Sequence, residues 1–171
     1  MTDLHFQSVK GKAREILRAI LQTSELSSCG MKDAMLLRLA CEEIVMNITS
    51  YAYPDVVGHA SERANPVSDS DFVGHASERA IPVPDDTSYF LNVQIEKADN
   101  RIVIRFIDGG IPFNPLDQSK PDTKLSWKRR QIGGLGIFLV LKKMDAVRYA
   151  YEDNKNVLTI ENVLLEACPT T

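Results

Sequence analysis

The apolar residues of this chain follow different periods in its two halves. Up to about residue 52 they recur every three or four positions, and from residue 91 onwards they mostly alternate. Val9, Ala13, Ile16, Leu17, Ile20 and Leu21 predict an amphipathic helix over about 8–24, after a short strand at 4–6. The small polar stretch 24–30 predicts a loop. Leu36, Leu37, Leu39, Ala40, Ile44, Val45 and Ile48 give the apolar face of a second helix over about 31–52, which Pro54 ends. Downstream, Leu91, Val93 and Ile95 alternate, as do Ile102, Ile104 and Phe106. Ala98, Asp99 and Asn100 turn the chain between them, which predicts a hairpin. A third helix is predicted from Ile137 to about Asp145, and strands at 147–151 and 157–163 around an Asp-Asn-Lys-Asn turn. Helices and paired strands without strict βαβ alternation predict an α+β fold. Its form is a two-layer sandwich, with helices on one face of a mixed, mostly antiparallel sheet.

Between the two regimes lies a duplication. Residues 55–70 and 71–86 are near copies, each containing Gly-His-Ala-Ser-Glu-Arg-Ala followed one residue later by Pro-Val. Two copies are too few for a solenoid, which needs at least about three to bury a core. Proline, serine, aspartate and glycine are frequent here and large apolar residues scarce, so the stretch reads as a loosely ordered surface insertion. With 171 residues the chain is long enough for one domain with a core. The expected organisation is therefore a single domain, 1–171, interrupted at about 54–86.

A net charge of −3 gives no global pull towards nucleic acid or an anionic membrane. The longest apolar runs, such as 137–141, fall short of the roughly 20 residues a spanning helix needs. No signal-peptide pattern opens the sequence. Cys29, Cys41 and Cys168 show no metal-ligand spacing and read as reduced thiols, which fits a cytoplasmic protein. His59 and His75 lie inside the duplication and have no ligand spacing either.

Three constellations can carry chemistry. Glu43 and Asn47 lie four apart on a helix and share a face, offering a carboxylate base beside a hard amide-oxygen ligand; such pairs are also common as plain surface residues. Asp108-Gly109-Gly110 stands where a strand exits. The aspartate there can accept a hydrogen bond from an amino group, and Gly110 lets the backbone approach a flat ring; Asp-Gly is equally an ordinary turn signal. Gly133-Gly134-Leu135-Gly136 opens a helix, where free amide N–H groups and the helix dipole suit phosphate oxygens; a hinge is the plain alternative. The basic residues Lys120, Lys124, Lys128, Arg129 and Arg130 precede those glycines and can screen a triphosphate or simply face solvent.

Taken in order, Glu-Ile-Val-Met-Asn (43–47), Asp-Gly-Gly-Ile-Pro-Phe-Asn-Pro (108–115) and Gly-Gly-Leu-Gly-Ile-Phe-Leu-Val (133–140) resemble the GHKL ATPase superfamily, which has the Bergerat ATP-binding fold. Leu-Lys-Lys-Met-Asp-Ala-Val (141–147) and Asn-Val-Leu-Thr-Ile (156–160) bring the chain nearest to the bacterial anti-sigma-factor serine kinases. The resemblance covers nearly the whole chain outside 54–86. It implies ATP and Mg²⁺ as cofactors. Glu43 becomes the general base and Asn47 the Mg²⁺ ligand within the nucleotide site. Asp108 bonds the adenine amino group beside Gly110. Gly133, Gly134, Leu135 and Gly136 line the phosphates, and Thr159 lies near the adenine. The implied activity is a serine/threonine protein kinase acting on a STAS-type anti-anti-sigma protein. A sigma factor is the implied second partner, and a homodimer the implied assembly. Tyr51 departs from the pattern, since relatives often carry histidine there. An ATP-gated, non-catalytic binding module remains the alternative. A clamp-type ATPase lacks its second domain here, and a sensor histidine kinase lacks a histidine on a dimerisation helix.

Overall fold

The computed structural model describes residues 1–53, 89–117 and 135–165. The duplication with His59 and His75, the basic residues between 120 and 130, Gly133, Gly134 and Cys168 lie outside the described residues.

Five strands form one sheet: β1 (Thr2–Gln7), β2 (Phe90–Ala98), β3 (Arg101–Asp108), β4 (Ala146–Glu152) and β5 (Lys155–Val163), in the order β1-β2-β3-β5-β4. All four ladders are antiparallel, so the expected mostly antiparallel sheet is wholly so among the described residues. The alternation read from the sequence is what fixes the faces. Leu91, Val93 and Ile95 of β2, Ile102, Ile104 and Phe106 of β3, and Leu158 and Ile160 of β5 are buried on one side. The two hairpins turn on Asp99 and on Asp153-Asn154, all with positive φ. Aspartate and asparagine tolerate that conformation better than most side chains, and two consecutive positive φ values match the right-handed strand twist.

The helices are α1 (Ala13–Leu21), α2 (Ser24–Ser27), α3 (Met31–Asn47) and α4 (Leu135–Lys143). They cover the apolar face of the sheet. Ile16 and Ile20 of α1, Leu37, Ala40, Cys41, Ile44 and Val45 of α3, and Ile137 and Val140 of α4 complete the core. Three details differ from the sequence reading. First, α1 starts at Ala13, not near residue 8, because Ser8 and Gly11 adopt positive φ and turn the chain. Val9 is nevertheless fully buried, and its N–H donates to the Tyr89 carbonyl at 3.3 Å. Second, the expected loop at 24–30 contains the single turn α2. Its buried Glu25 accepts the Thr2 hydroxyl at 2.8 Å and pairs with the Met1 amino group at 3.3 Å, tying β1 to the helical layer. Third, the long helix is regular only to Asn47 and then widens into a π-turn, Ile48–Ala52. The Thr49 hydroxyl bonds back to the Val45 carbonyl at 2.8 Å. Single π-turns of this kind often mark functional sites, because they re-aim the side chains next to them.

Candidate nucleotide site

Asp108 is the last residue of β3 and lies on the helix-covered face, two positions beyond Phe106. Across the ladder it pairs with Asn156 of β5. Both are almost fully buried, at 4% and 5% exposure. The Asp108 Oδ1 atom accepts the Asn156 Nδ2–H at 2.9 Å and the Gly110 N–H at 2.9 Å. Asn156 also donates to the carbonyls of Ile111 (3.1 Å) and Gly110 (3.3 Å), and its Oδ1 accepts the Phe113 N–H (3.1 Å) and the Tyr149 hydroxyl (2.7 Å). One amide thus gathers the strand exit, the 109–113 loop and the edge strand β4. Burial raises the Asp108 carboxyl above its ordinary range, and the Asn156 and Gly110 donors pull it back down.

The glycines of this turn have steric reasons. A Cβ on Gly110 would lie 2.5 Å from the Ala52 Cβ, 2.6 Å from the Ala52 carbonyl oxygen and 2.8 Å from the Asp108 Oδ1. One on Gly109 would lie 2.7 Å from the Phe90 ring. The Ile111 N–H donates to the Ala52 carbonyl at 2.9 Å, so the π-turn is fastened to the loop. Tyr53 completes the fastening. Its hydroxyl donates to the Phe90 carbonyl and accepts the Gly109 N–H at 3.1 Å. Burial, with Asp108 near by, pushes the Tyr53 phenol well above its ordinary range, so it stays a neutral donor.

The other end lies on α3 and α4. Glu43 and Asn47 are both half-buried, one turn apart on α3, and the structure brings Glu43 against Gly136 in the first turn of α4. A Cβ on Gly136 would overlap the Glu43 carboxylate, so only glycine leaves room for it. Glu43 is nine residues before Ala52, roughly 13 Å at helical rise. That spacing separates the buried Asp108 carboxylate, beside Ala52 through Gly110, from the Gly136 end of α4.

Gly110, next but one to Asp108, thus meets the π-turn at Ala52, and Gly136 meets Glu43, with Asn47 one turn further along α3. Leu135 opens α4, while Gly133 and Gly134 lie outside the described residues. Thr159 is a correction. It sits an odd number of steps from Asn156, Leu158 and Ile160, so its side chain emerges on the opposite face of the sheet, in register with Arg105 and Arg148. It does not share the buried face of the sheet on which Asp108 lies. The residue that meets Asp108 is Asn156, which the sequence reading placed in a turn. Its alternation with Leu158 and Ile160 was the available signal. Tyr51 is 65% exposed. Cys41 is buried, which pushes its thiol up to about 12 and removes it as a nucleophile.

The family model of the histidine kinase-like ATPase domain matches residues 6–161. The chain belongs to this family. No curated protein matches it. The histidine kinase-like ATPase domain is an ATP-binding module, and the donor set fits that ligand. The Asp108 carboxylate is buried with one oxygen unclaimed among the described residues, and Gly136 in the first turn of α4 carries no side chain of its own. Among the described residues no group of three or more His, Cys, Asp or Glu can hold a metal ion. A lone amide such as Asn47 would hold Mg²⁺ only together with phosphate oxygens, which is how that ion is commonly bound. Among the described residues no helix is long and apolar enough to cross a membrane.

Proposed function

We propose that this histidine kinase-like ATPase domain is a cytoplasmic, ATP-dependent serine/threonine protein kinase of a bacterial partner-switching system. It phosphorylates a STAS-type anti-anti-sigma protein, binds a sigma factor as an anti-sigma factor, and works as a homodimer. The observation that supports a transferase most is the Glu43 carboxylate against Gly136, at the start of α4 and one turn from Asn47. A base at the phosphate end is where an acceptor hydroxyl must arrive. In this reading Glu43 takes the hydroxyl proton as the oxygen bonds the γ-phosphorus. The bond from that phosphorus to the bridging oxygen breaks, and its electron pair leaves with ADP. Asn47 would hold Mg²⁺, which when bound neutralises phosphate charge. Asp108 and Gly110 bind and orient the base.

The test is Glu43→Ala, assayed with labelled ATP against purified STAS-type proteins. The kinase reading expects ATP binding to persist and label transfer to fall by about 100-fold or more. Transfer at the wild-type rate would remove Glu43 as the base. A second reading, a non-catalytic ATP-gated binding module, draws on one observation. Glu43 has no side-chain hydrogen-bond partner among the described residues to orient it as a base. It expects no transfer from the wild type, and partner affinity that changes with ATP equally in wild type and Glu43→Ala.

A further inference from the structure

Asn156 makes more side-chain contacts than a loop clamp needs. Two donors, the Phe113 N–H and the Tyr149 hydroxyl, meet one end of its amide, and three acceptors surround the other. That pattern fixes which end is the oxygen and forces the N–H₂ towards Asp108. The consequence falls on the carboxylate. Its Oδ1 atom is occupied by the Asn156 and Gly110 donors, while Oδ2 accepts no hydrogen bond among the described residues. Hydrogen bonds donated to a carboxylate favour its ionised form, and an ionised carboxylate accepts but cannot donate.

We infer that Asn156 is a positioning residue for base selection: it fixes the Asp108 carboxylate so that Oδ2 alone is presented, as an acceptor, to the exocyclic amino group of a 6-aminopurine nucleotide. This rests on the ATP site proposed above. A 6-oxopurine would set oxygen against oxygen and is rejected, because a buried acceptor left facing an acceptor loses its hydrogen bond. Asn156 itself touches Asp108 and the loop, and it acts on the nucleotide through Asp108.

A purely structural Asn156 and a base-selecting one differ in what they do to a nucleotide without the amino group. The experiment is calorimetric titration of the full chain, wild type and Asn156→Ala, with Mg-ATP and with the Mg complex of purine riboside triphosphate, which carries hydrogen at that position. Wild type is expected to prefer ATP roughly tenfold or more, the size of a hydrogen bond to a charged group. In Asn156→Ala most of that preference disappears, through lost ATP affinity, while the analogue binds within about threefold of wild type. Equal losses for both ligands, with the preference kept, would overturn the inference and leave Asn156 a loop clamp. A wild type that binds both ligands equally would also overturn it, while ATP binding stands. A wild type that binds neither removes the nucleotide reading itself. Should Asn156→Ala fail to fold by circular dichroism, Tyr149→Phe carries the test. It removes one of the two donors that orient the amide, at a half-buried position. A several-fold smaller preference for ATP supports the inference, and an unchanged preference overturns it.

Discussion

At the Asp108 end of the site the polar side chains are buried and bonded. Asp108, Asn156, Tyr53 and Tyr149 are joined through the 109–113 loop, and the π-turn is fastened to that loop at Ala52. At the Glu43 end the carboxylate and Asn47 are half-buried, and neither makes a side-chain hydrogen bond among the described residues. The contrast follows from where each end is mounted. The first sits on a sheet whose ladder fixes Asp108 opposite Asn156, and a polar group buried there must be satisfied. The second sits on helix surfaces, where Gly136 meets the end of a long, rotatable side chain. On the proposed function, base recognition would be preorganised, whereas the phosphate end would be completed by what binds there.

Substitutions that separate stability from ligand function sharpen this contrast. The largest effect is expected at Gly110→Ala, whose methyl meets the Ala52 backbone carbonyl. Overpacking against backbone should cost about 1–3 kcal/mol in denaturant unfolding and weaken ATP binding together with it. Unchanged stability would show that the base end is looser than described. Gly136→Ala should behave oppositely. The flexible end of Glu43 swings away, so stability stays within about 1 kcal/mol while phosphoryl transfer drops at least about tenfold. Loss of both would mean that the two ends are equally rigid.

Acidification should act on the base end through Asp108. Its folded pKa is raised by burial, so its contribution to the free protein's stability is fully present below the ordinary value of 3.8. That contribution is lost as pH rises through the raised value. ATP affinity runs the other way, because the ionised form accepts the amino group. Affinity should rise with pH through that same window and then level off, and the rise should be absent in Asp108→Asn. Tyr53, held neutral, does not titrate there. Asn47→Ala is expected to leave stability within about 0.5 kcal/mol and remove the Mg²⁺ dependence of ATP binding; an intact dependence would exclude it as the metal ligand. The smallest effect belongs to Thr159→Ala, on the far face of the sheet, where ATP affinity should not change. A clear loss would mean that the opposite face reaches the site.

What local pattern can carry was legible in the sequence. Helical spacing at Leu37, Ala40, Ile44 and Val45 and alternation at Ile102, Ile104 and Phe106 gave the layers, and Asp108-Gly109-Gly110 stands at a strand exit as read. Partners distant in sequence were not legible. Asn156 lies 48 residues from Asp108, and their pairing depends on β5 inserting between β3 and β4, which no window of local sequence contains. The start of α1 was missed because a buried Val9 satisfies the helical spacing from within a turn. Thr159 was placed by resemblance, although the alternation of its own strand points it away from Leu158 and Ile160.

The most direct measurement is calorimetric titration of Mg-ATP into the wild type and Asp108→Asn, with thermal unfolding of both as a control. The account predicts saturable binding to the wild type and roughly 100-fold weaker binding to a folded Asp108→Asn, because a buried charged acceptor has been replaced by an amide. A folded wild type that gives no binding, or an Asp108→Asn that binds as the wild type does, would contradict it.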